Sequence, residues 1–314
     1  MIIVMKPDAT KENIEKVEAR LHQAGLKAHL STGEDCTIIG VIGDRKKIAN
    51  LEVSMLEGVE KTVRITEKYK LVSRHFHPED TIVDVGGVKI GGKEVVVMAG
   101  PCSVESIDQL REAAKAVKAG GAKFLRGGAF KPRTSPYDFQ GLAEEGLKML
   151  RQVADEEGLK VVTEIVDKDD IDLVGKYADV YQVGARNMQN FQLLNALCKA
   201  KKPVMLKRGL AATISEWLNA AEYIMAGGND QVIFCERGIR TYETFTRNTL
   251  DLSAVAAIKE LSHLPIIVDP SHGIDVHPHP EVALSDVDQS LTPKNFNILM
   301  GELGKICEVM GRTL

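Results

Sequence analysis

The feature that most constrains the fold is a repeat of short apolar runs separated by amphipathic stretches, from residue 95 onward. Seven runs read as strands: VVVMAG, AKFLRGG, LKVVTEI, DVYQVGA, PVMLKRG, QVIFCERG and PIIVDPSH. The segments between them have the apolar spacing of helices: 106–119, 141–157, 168–176, 190–199, 213–226 and 249–261. Strands that are apolar on both faces and alternate with helices are typical of a parallel sheet covered by helices.

Two architectures are built from repeated βα units, the open doubly wound sheet and the closed (β/α)8 barrel. The first apolar run is not followed by the GxGxxG fingerprint of a doubly wound dinucleotide-binding fold. A chain of 314 residues is long enough for a barrel and one further small domain. We therefore predict an α/β protein whose residues 81–314 form a (β/α)8 TIM barrel.

The N-terminal part has a different pattern. Residues 1–66 read as βαββαβ, with strands at MIIVM, LKAHLS, CTIIGVIG and TVRIT and a first helix that presents Ile14, Val17 and Leu21 on one face. This order is that of a small α+β ferredoxin-like domain. Residues 67–80 lose the periodicity and contain Pro78, which predicts a linker.

Composition restricts the partners and the compartment. The net charge of −4 gives no general reason to bind nucleic acid or an anionic membrane, so a basic site has to be local. No run reaches the roughly 18 apolar residues of a membrane span. Five cysteines without a CxxC pair indicate a reducing compartment rather than a disulfide framework. We expect a cytoplasmic protein.

Charged or metal-capable groups follow every predicted barrel strand, where barrels build their active sites. These groups are Cys102, Arg126, Lys131, Arg133, Glu164, Arg186, Lys207, Arg208, Glu236, Arg237, Asp269 and His272. A single Arg or Lys in a loop is ordinarily a solvated charge. Convergence of seven cations in an acidic protein instead predicts a site for phosphate and carboxylate oxygens. Two small phosphorylated substrates fit best, and one large polyphosphate is the alternative.

A divalent metal site is the second candidate feature. Cys102 follows one predicted strand and His272 another, and Asp275 and Asp286 lie shortly downstream. A thiolate, an imidazole and two carboxylates suit a metal with a coordination position open for a substrate oxygen. These ligand types accept Mn, Fe, Co and Zn alike, so the sequence does not choose the metal.

The ordered motifs AGPCS, LRGGAFKPRTSP, VGARN, LKRG, CERGIRT and VDPSH resemble those of a known enzyme family. It is the metal-dependent 3-deoxy-D-arabino-heptulosonate 7-phosphate (DAHP) synthase family, in the branch with an N-terminal ferredoxin-like regulatory domain. The resemblance covers essentially the whole chain. It implies an aldol-like condensation of phosphoenolpyruvate with D-erythrose 4-phosphate and water, which gives DAHP and phosphate in the first step of the shikimate pathway to aromatic amino acids.

The resemblance also implies roles for individual residues. Phosphoenolpyruvate would be held by Arg126, Lys131, Arg186, Lys207 and Arg237. Erythrose 4-phosphate would be received by the KPRT motif, which includes Lys131, Arg133 and Thr134. Cys102, His272 and Asp286 match metal-ligand positions, and Asp275 stands where the family usually has Glu. Lys131, Cys102 and His272 are accordingly the candidate catalytic residues.

Regulation and assembly are implied by the resemblance as well. In the resembling enzymes the N-terminal domain binds an aromatic end product, tyrosine or phenylalanine, between two subunits. His29 and Ser31 match the positions that contact this effector. We expect feedback inhibition by one of these amino acids and a homotetramer.

Two other hypotheses remain open at this point. A Schiff-base aldolase would use Lys131 or Lys207 as its nucleophile and would keep its activity in EDTA. A barrel that has lost catalysis would bind phosphoenolpyruvate without releasing phosphate.

The stretch between His272 and Asp275 is too short for its place in the fold. Neighbouring parallel strands need a crossover of at least about a dozen residues, and the resemblance implies roughly two dozen more at this place, including the seventh helix and most of strand eight. We expect that this segment is absent from the recorded chain, so that a break near His272 to Asp275 separates consecutive Cα atoms by much more than ~3.8 Å. The alternative is a true deletion, which would prevent normal closure of the barrel and separate His272 from Asp275.

Overall fold

The structure, a computed structural model, describes residues 1–33, 37–44, 47–48, 51–63, 68–133, 135–270, 274–285 and 290–314. The chain divides into two units. Unit 1 comprises residues 1–80 together with 260–263, and unit 2 comprises residues 81–259 together with 264–314. Within the described ranges, no helix combines the length and the apolar character that crossing a membrane requires.

Unit 1 is built on a four-stranded antiparallel sheet with the order β2-β3-β1-β4. Its elements are β1 (Ile2–Met5), α1 (Lys11–Gln23), β2 (Lys27–Thr32), β3 (Thr37–Ile42) and β4 (Val59–Val63). Thr10 begins α1 through a reciprocal capping box with Asn13. Val17 and Leu21 of α1 are buried in the core of the unit. The sheet confirms the ferredoxin-like prediction, and the predicted second helix falls partly outside the described residues.

Unit 2 contains the remaining strands and helices. Its strands are β5 (Val83–Val85), β6 (Val88–Ile90), β7 (Met98–Gly100), β8 (Phe124–Arg126), β9 (Lys160–Ile165), β10 (Val180–Val183), β11 (Val204–Lys207), β12 (Val232–Glu236), β13 (Ile266–Val268) and β14 (Ile274–Asp275). Its helices are α2 (Ile107–Ala119), α3 (Ala143–Glu157), α4 (Ile171–Tyr177), α5 (Phe191–Leu197), α6 (Ile214–Ala226), α7 (Leu252–Leu261) and α8 (Pro293–Val309).

Eight parallel strands form one sheet in the order β13-β12-β11-β10-β9-β8-β7-β14. Helices follow six of the first seven strands and the eighth, which confirms the predicted (β/α)8 architecture. Between β13, which ends at Val268, and β14, which begins at Ile274, the described residues contain no seventh helix. In the part of the chain that is described, no pairing joins β13 to β14. The expected break falls on residues 271–273, which lie outside the described residues.

The hairpin of β5 and β6 packs against the interior face of this sheet. Val83, Val85 and Ile90 are buried in a cluster with apolar residues from five of the parallel strands. These are Phe124, Val162, Val180, Met205, Ile233 and Cys235. Side chains two positions apart on a strand share a face. The residue two places after several of these therefore points to the same interior, nearer the carboxyl ends of the strands.

A glycine allows the strands to approach closely at the end of β7. Gly100 has φ +152°, and a Cβ there would lie 2.1 Å from the carbonyl oxygen of Arg126 on β8. Any side chain would therefore push β7 and β8 apart. This close approach brings Cys102, two residues further on, beside Arg126.

Candidate active site

Cationic side chains from several strands converge on one pocket at the carboxyl end of the sheet. Arg126 ends β8, Lys207 ends β11 and Arg237 follows β12 directly. The same pocket is lined by three further cations that the sequence singled out, Lys131, Arg133 and Arg186. Such a concentration of guanidinium and ammonium groups suits phosphate and carboxylate oxygens.

Arg126, at the end of β8, connects Cys102, which follows β7, to Asp275 on β14 at one side of the pocket. Its Nη1 donates to the carbonyl oxygen of Cys102 at 3.2 Å and to Oδ1 of the buried Asp275 at 3.1 Å. Burial alone would lower the pKa of the Arg126 guanidinium, but Asp275 and, to a smaller extent, Cys102 and Glu164 raise that pKa above its ordinary value. Arg126 is therefore a permanent cation.

Cys102 lies among groups that suit a metal ligand. Its Sγ is 2.8 Å from Nζ of Lys131 and 3.1 Å from Oγ of Ser285. Cysteine binds metals through its sulfur as the thiolate. Asp275 and the Cys102 carbonyl contact the same Arg126, so two of the four predicted ligands lie in one region.

The other two predicted metal ligands, His272 and Asp286, lie outside the described residues. Ser285, which contacts Cys102, precedes Asp286 in the sequence. Among the residues that the structure describes, no cluster of three or more His, Cys, Asp or Glu could hold a metal ion.

Lys207 is paired with a carboxylate at the end of β13. Its Nζ donates to Oδ2 of Asp269 at 2.6 Å, and both side chains are buried, with 8% and 3% of their surfaces exposed. The backbone amide of Asp269 donates to the carbonyl oxygen of Glu236 at 2.7 Å. Asp269 of the VDPSH motif thus holds the Lys207 ammonium at the pocket.

A second network of ion pairs holds the turn that contains Arg237. Arg208 donates through Nη1 to Oε2 of Glu236 at 2.7 Å and to Oδ2 of Asp251 at 2.9 Å. Oε1 of Glu236 accepts from the backbone amide of Gly238 at 2.6 Å. Arg208 and Glu236, which the sequence also singled out, are structural partners in this network, and they fix the turn that presents Arg237.

The candidate residues for the second substrate lie on the loop between β8 and α3. Nε of Arg133 donates to the carbonyl oxygen of Phe139 at 3.1 Å, which holds the side chain at the pocket wall. Thr134 lies outside the described residues.

Sequence reasoning missed several residues that line the pocket. Gln182 precedes the VGARN motif and donates to Oε2 of Glu164 at 3.4 Å. Strand alternation could have found it, because Gln182 lies two places after the core residue Val180. Arg240, Arg247 and Asn248 come from the loop between β12 and α7. Arg240 lies within the CERGIRT motif, whereas nothing in the spacing of Arg247 and Asn248 distinguishes them from ordinary solvated loop residues.

The predicted effector residues belong to unit 1, on the edge strand β2. His29 and Ser31 are two positions apart, so they share one face of the sheet. The His29 ring stacks on Phe76 with centroids 4.7 Å apart. Burial is the main cause that lowers the pKa of His29, and the nearby His77 lowers it further. The imidazole is therefore neutral at pH 7.

Comparison with known proteins identifies relatives along the whole chain. The sequence profile of the DAHP synthetase I family matches residues 63–275, and that of the DAHP synthase ferredoxin-like domain matches residues 1–67. The chain is 49% identical to a phospho-2-dehydro-3-deoxyheptonate aldolase of Thermotoga maritima, with 99% of each chain covered. It is 28% identical over 202 residues to a 2-dehydro-3-deoxyphosphooctonate aldolase of Fusobacterium nucleatum, covering 61% of this chain and 71% of the relative.

Solved structures agree with these sequence relatives. The crystal structure of the DAHP synthase from Thermotoga maritima matches with a TM-score of 0.77 at 49% identity, covering 99% of this chain and 98% of that one. A truncated form of the Thermotoga enzyme matches with a TM-score of 0.72 at 48% identity and covers 77% of this chain and 98% of that one. The alignment with the Thermotoga sequence runs over 334 positions against 314 residues here, so at least 20 positions have no residue in this chain.

Proposed function

Because the chain belongs to the DAHP synthetase I family and is a DAHP synthase, we propose that the pocket at the carboxyl end of its barrel strands binds both substrates. Phosphoenolpyruvate lies against Arg126, Lys131, Arg186, Lys207 and Arg237, and erythrose 4-phosphate lies against Arg133 and Thr134. The observation that carries this assignment is the convergence of Arg126, Lys131, Arg133, Arg186, Lys207 and Arg237 on one pocket.

We further propose that a divalent metal completes this site. The donor set fits such an ion, since Cys102 lies beside the Lys131 ammonium and Asp275 is a fully buried carboxylate close to the same strand end. Cys102 and Asp275, with His272 and Asp286, would hold the metal. When bound, the ion would polarise the aldehyde oxygen of erythrose 4-phosphate. Asp275 has the same carboxylate group as the Glu that the family usually has at this position, but its side chain is one methylene shorter.

The chain's own residues bind and orient the reactants. Arg186, Lys207 and Arg237 neutralise the anionic groups of phosphoenolpyruvate, so that its C3 can approach the aldehyde carbon without charge repulsion. The same cations stabilise the charge that shifts as the C–C bond forms and as the phosphate leaves after water adds at C2. The hydrogen bond from Lys207 Nζ to Asp269 holds this side chain in place at the pocket throughout.

A phosphate-release assay tests this function. Purified protein is mixed with phosphoenolpyruvate and erythrose 4-phosphate, with added Mn²⁺ or with EDTA. We expect phosphate release that requires both substrates, is abolished by EDTA and is restored by Mn²⁺. Release that persists in EDTA would favour the Schiff-base mechanism, and binding of phosphoenolpyruvate without release would indicate a barrel that only binds.

Feedback inhibition by tyrosine or phenylalanine is proposed for unit 1. Its support is the position of His29 and Ser31 on one face of the edge strand β2, where a neutral imidazole can accept a hydrogen bond. We predict that removing residues 1–66 abolishes inhibition by these amino acids while phosphate release persists. The truncated Thermotoga relative, which aligns with 77% of this chain, supports the design. Inhibition that survives the truncation would contradict the assignment.

Point substitutions in the full chain localise the effector. We expect His29→Ala and Ser31→Ala to raise the inhibitory concentration by about 10-fold or more, since each removes a hydrogen-bonding group. Thr32→Ala, on the opposite face of β2, is the matched control and should leave inhibition unchanged.

The compartment and the assembly are also proposals. Among the cysteines that the structure describes, Cys102, Cys198, Cys235 and Cys307 are buried and none is in a disulfide, and burial raises the pKa of the Cys235 thiol to about 12. Free thiols support a reducing, cytoplasmic location. We propose a homotetramer on the strength of the family, to be checked by light scattering.

A further inference from the structure

The loop between β12 and α7 is held at its base by backbone hydrogen bonds. Ile239 and Thr249 form an antiparallel bridge, with N–H to O distances of 2.9 Å and 2.8 Å in the two directions. The backbone amide of Arg240 donates to the carbonyl oxygen of Leu210 at 2.7 Å. Asp251, beyond the bridge, is tied to the buried Arg208. Residues next to the bridge are therefore held in position, although they lie in a loop.

Asn248 makes a specific contact with the pocket. Its Oδ1 accepts from Nη1 of Arg237 at 2.9 Å. Its Cβ would be only 3.0 Å from a Cβ at position 238, where the chain has a glycine with φ +82°. Asn248 consequently packs directly over Gly238 and holds the guanidinium of the preceding residue, Arg237.

Arg247 brings a further positive charge to the same place. It lines the pocket together with Arg186 and Arg237. Burial lowers the pKa of Arg237, Asp269 opposes this shift, and Arg247 and Arg186 lower the pKa further. Arg247 and Arg186, which line the same pocket, are thus both close enough to repel the Arg237 guanidinium, and an anion bound beside it would relieve that repulsion.

We propose that Arg247 binds a phosphoryl oxygen directly and that Asn248 is the residue that positions Arg237 for the same phosphate. This inference rests on the proposed assignment of the pocket to phosphoenolpyruvate and adds two residues to it. A carboxylate is satisfied by one bidentate guanidinium, whereas a phosphoryl group offers three oxygens and up to two negative charges. Three arginines therefore suit the phosphate of phosphoenolpyruvate better than its carboxylate.

Calorimetric binding tests the role of Arg247. The ligands are phosphoenolpyruvate, inorganic phosphate and pyruvate, which keeps the carboxylate and lacks the phosphate. We expect Arg247→Ala to weaken phosphoenolpyruvate and inorganic phosphate by about 10-fold to 100-fold, as for loss of a charge-assisted hydrogen bond, and to leave pyruvate unchanged. Arg247→Lys should recover part of the affinity, because it restores the charge without the fork. Thr246→Ala, an exposed neighbour, is the control.

The positioning role of Asn248 has its own readout. Asn248→Ala should raise the KM for phosphoenolpyruvate several-fold with a smaller effect on kcat. Asn248→Asp keeps an oxygen acceptor for Arg237, but its carboxylate neutralises the charge of the Arg237 guanidinium. Phosphate binding should therefore weaken at least as much as in Asn248→Ala, while the melting temperature is maintained. A merely structural role predicts instead that Asn248→Ala lowers the melting temperature and leaves the KM for phosphoenolpyruvate unchanged, and that result would overturn the assignment of Asn248.

Two failures can be told apart. Wild-type affinity of Arg247→Ala for both phosphate ligands overturns the role of Arg247 and leaves the proposed function intact. If the wild-type protein binds inorganic phosphate but not phosphoenolpyruvate, the substrate assignment fails while the phosphate measurements still decide whether Arg247 binds the anion. Binding of neither ligand by the wild-type protein overturns both.

Discussion

Single cations in the pocket are held in place by partners that the fold supplies. Lys207 is paired with Asp269, Arg126 with Asp275, and Arg237 with Asn248. Asp269 and Asp275 come from a different strand end than the cation each holds, and Asn248 comes from the far end of the loop that Arg237 begins. A substrate therefore meets groups that are already oriented, which reduces the entropy lost on binding.

The pair of Lys207 and Asp269 gives a prediction at this scale. Lys207→Met removes the ammonium from a buried carboxylate, and breaking a buried pair in this way costs about 3–5 kcal/mol. We expect the variant to unfold at a lower urea concentration and to lose phosphoenolpyruvate binding. The double variant Lys207→Met, Asp269→Asn should regain much of the stability, because it removes the buried charge, but none of the binding.

Urea unfolding and calorimetry on the same samples measure both effects. Recovery of binding in the double variant would show that Lys207 does not contact the substrate. Equal stability of the wild-type protein and Lys207→Met would show that Asp269 is not left as a buried charge.

The sequence predicts the cations at the strand ends well and the residues contributed by the loop between β12 and α7 poorly. Arg126, Lys207 and Arg237 follow recognisable apolar runs, so their place at the strand ends follows from the βα repeat. Asn248 and Arg247 are brought in by a loop whose path depends on the Ile239 and Thr249 bridge. Such a tertiary contact leaves no periodic signal in the sequence.

Helices are the elements that the sequence predicts most closely. The segment predicted at 213–226 is α6, Ile214–Ala226, which begins at a capping box of Thr213 and Glu216. The segment predicted at 141–157 is α3, which ends at Gly158 in the left-handed region, with φ +65°. Local caps fix these ends. The closure of the barrel interior by β5 and β6 depends on packing between distant segments and was not predicted.

Unit 1 contains a contact between two histidines, His263 just after α7 and His77. The ring of His263 stacks on His77 with centroids 4.5 Å apart, and its Nε2 lies 2.8 Å from the carbonyl oxygen of Leu71. Burial lowers the pKa of His263 to about 4; the contact with Leu71 opposes this shift, and His77 and Arg74 add to it. The folded state thus holds His263 neutral.

A pH dependence of stability follows from this shift. The unfolded chain binds a proton at His263 near pH 6.5 and the folded protein only near pH 4. The stabilisation is therefore complete above about pH 6.5 and is lost progressively as the pH falls to about 4. The full change is on the order of 3 kcal/mol. We expect His263→Gln, whose amide can still donate to Leu71, to show a smaller fall in melting temperature between pH 7 and pH 5 than the wild-type protein.

His22→Gln is the matched control, because His22 is exposed on α1. This variant should follow the wild-type curve. A pH profile of His263→Gln identical to that of the wild-type protein would show that His263 does not set the acid sensitivity.

At the scale of the whole molecule, the unusual feature is the short connection between the seventh and eighth barrel strands. β13 ends at Val268 and β14 begins at Ile274, whereas the alignment with the Thermotoga relative contains at least 20 positions that this chain lacks. A seventh barrel helix, which the described residues do not contain, would lie between α7 and α8 in barrel order. These two helices expose apolar side chains, with Leu252 64%, Ile298 54% and Ile306 54% exposed.

Restoring the helix should therefore stabilise unit 2. We predict that inserting about two dozen residues between Gly273 and Ile274, designed as a loop and an amphipathic helix of ordinary βα-unit length, raises the melting temperature. Burial of even two apolar side chains contributes about 3–6 kcal/mol, and for a domain of this size 1 kcal/mol corresponds to about 2–4 °C. A Gly/Ser insertion of equal length adds no apolar face and should lower the melting temperature slightly through the entropy of the longer loop. Calorimetry measures the melting temperature of both variants. An equal rise for the two insertions would contradict the prediction. It would mean that strain in the short connection, and not the lack of apolar contacts, limits the stability of the barrel.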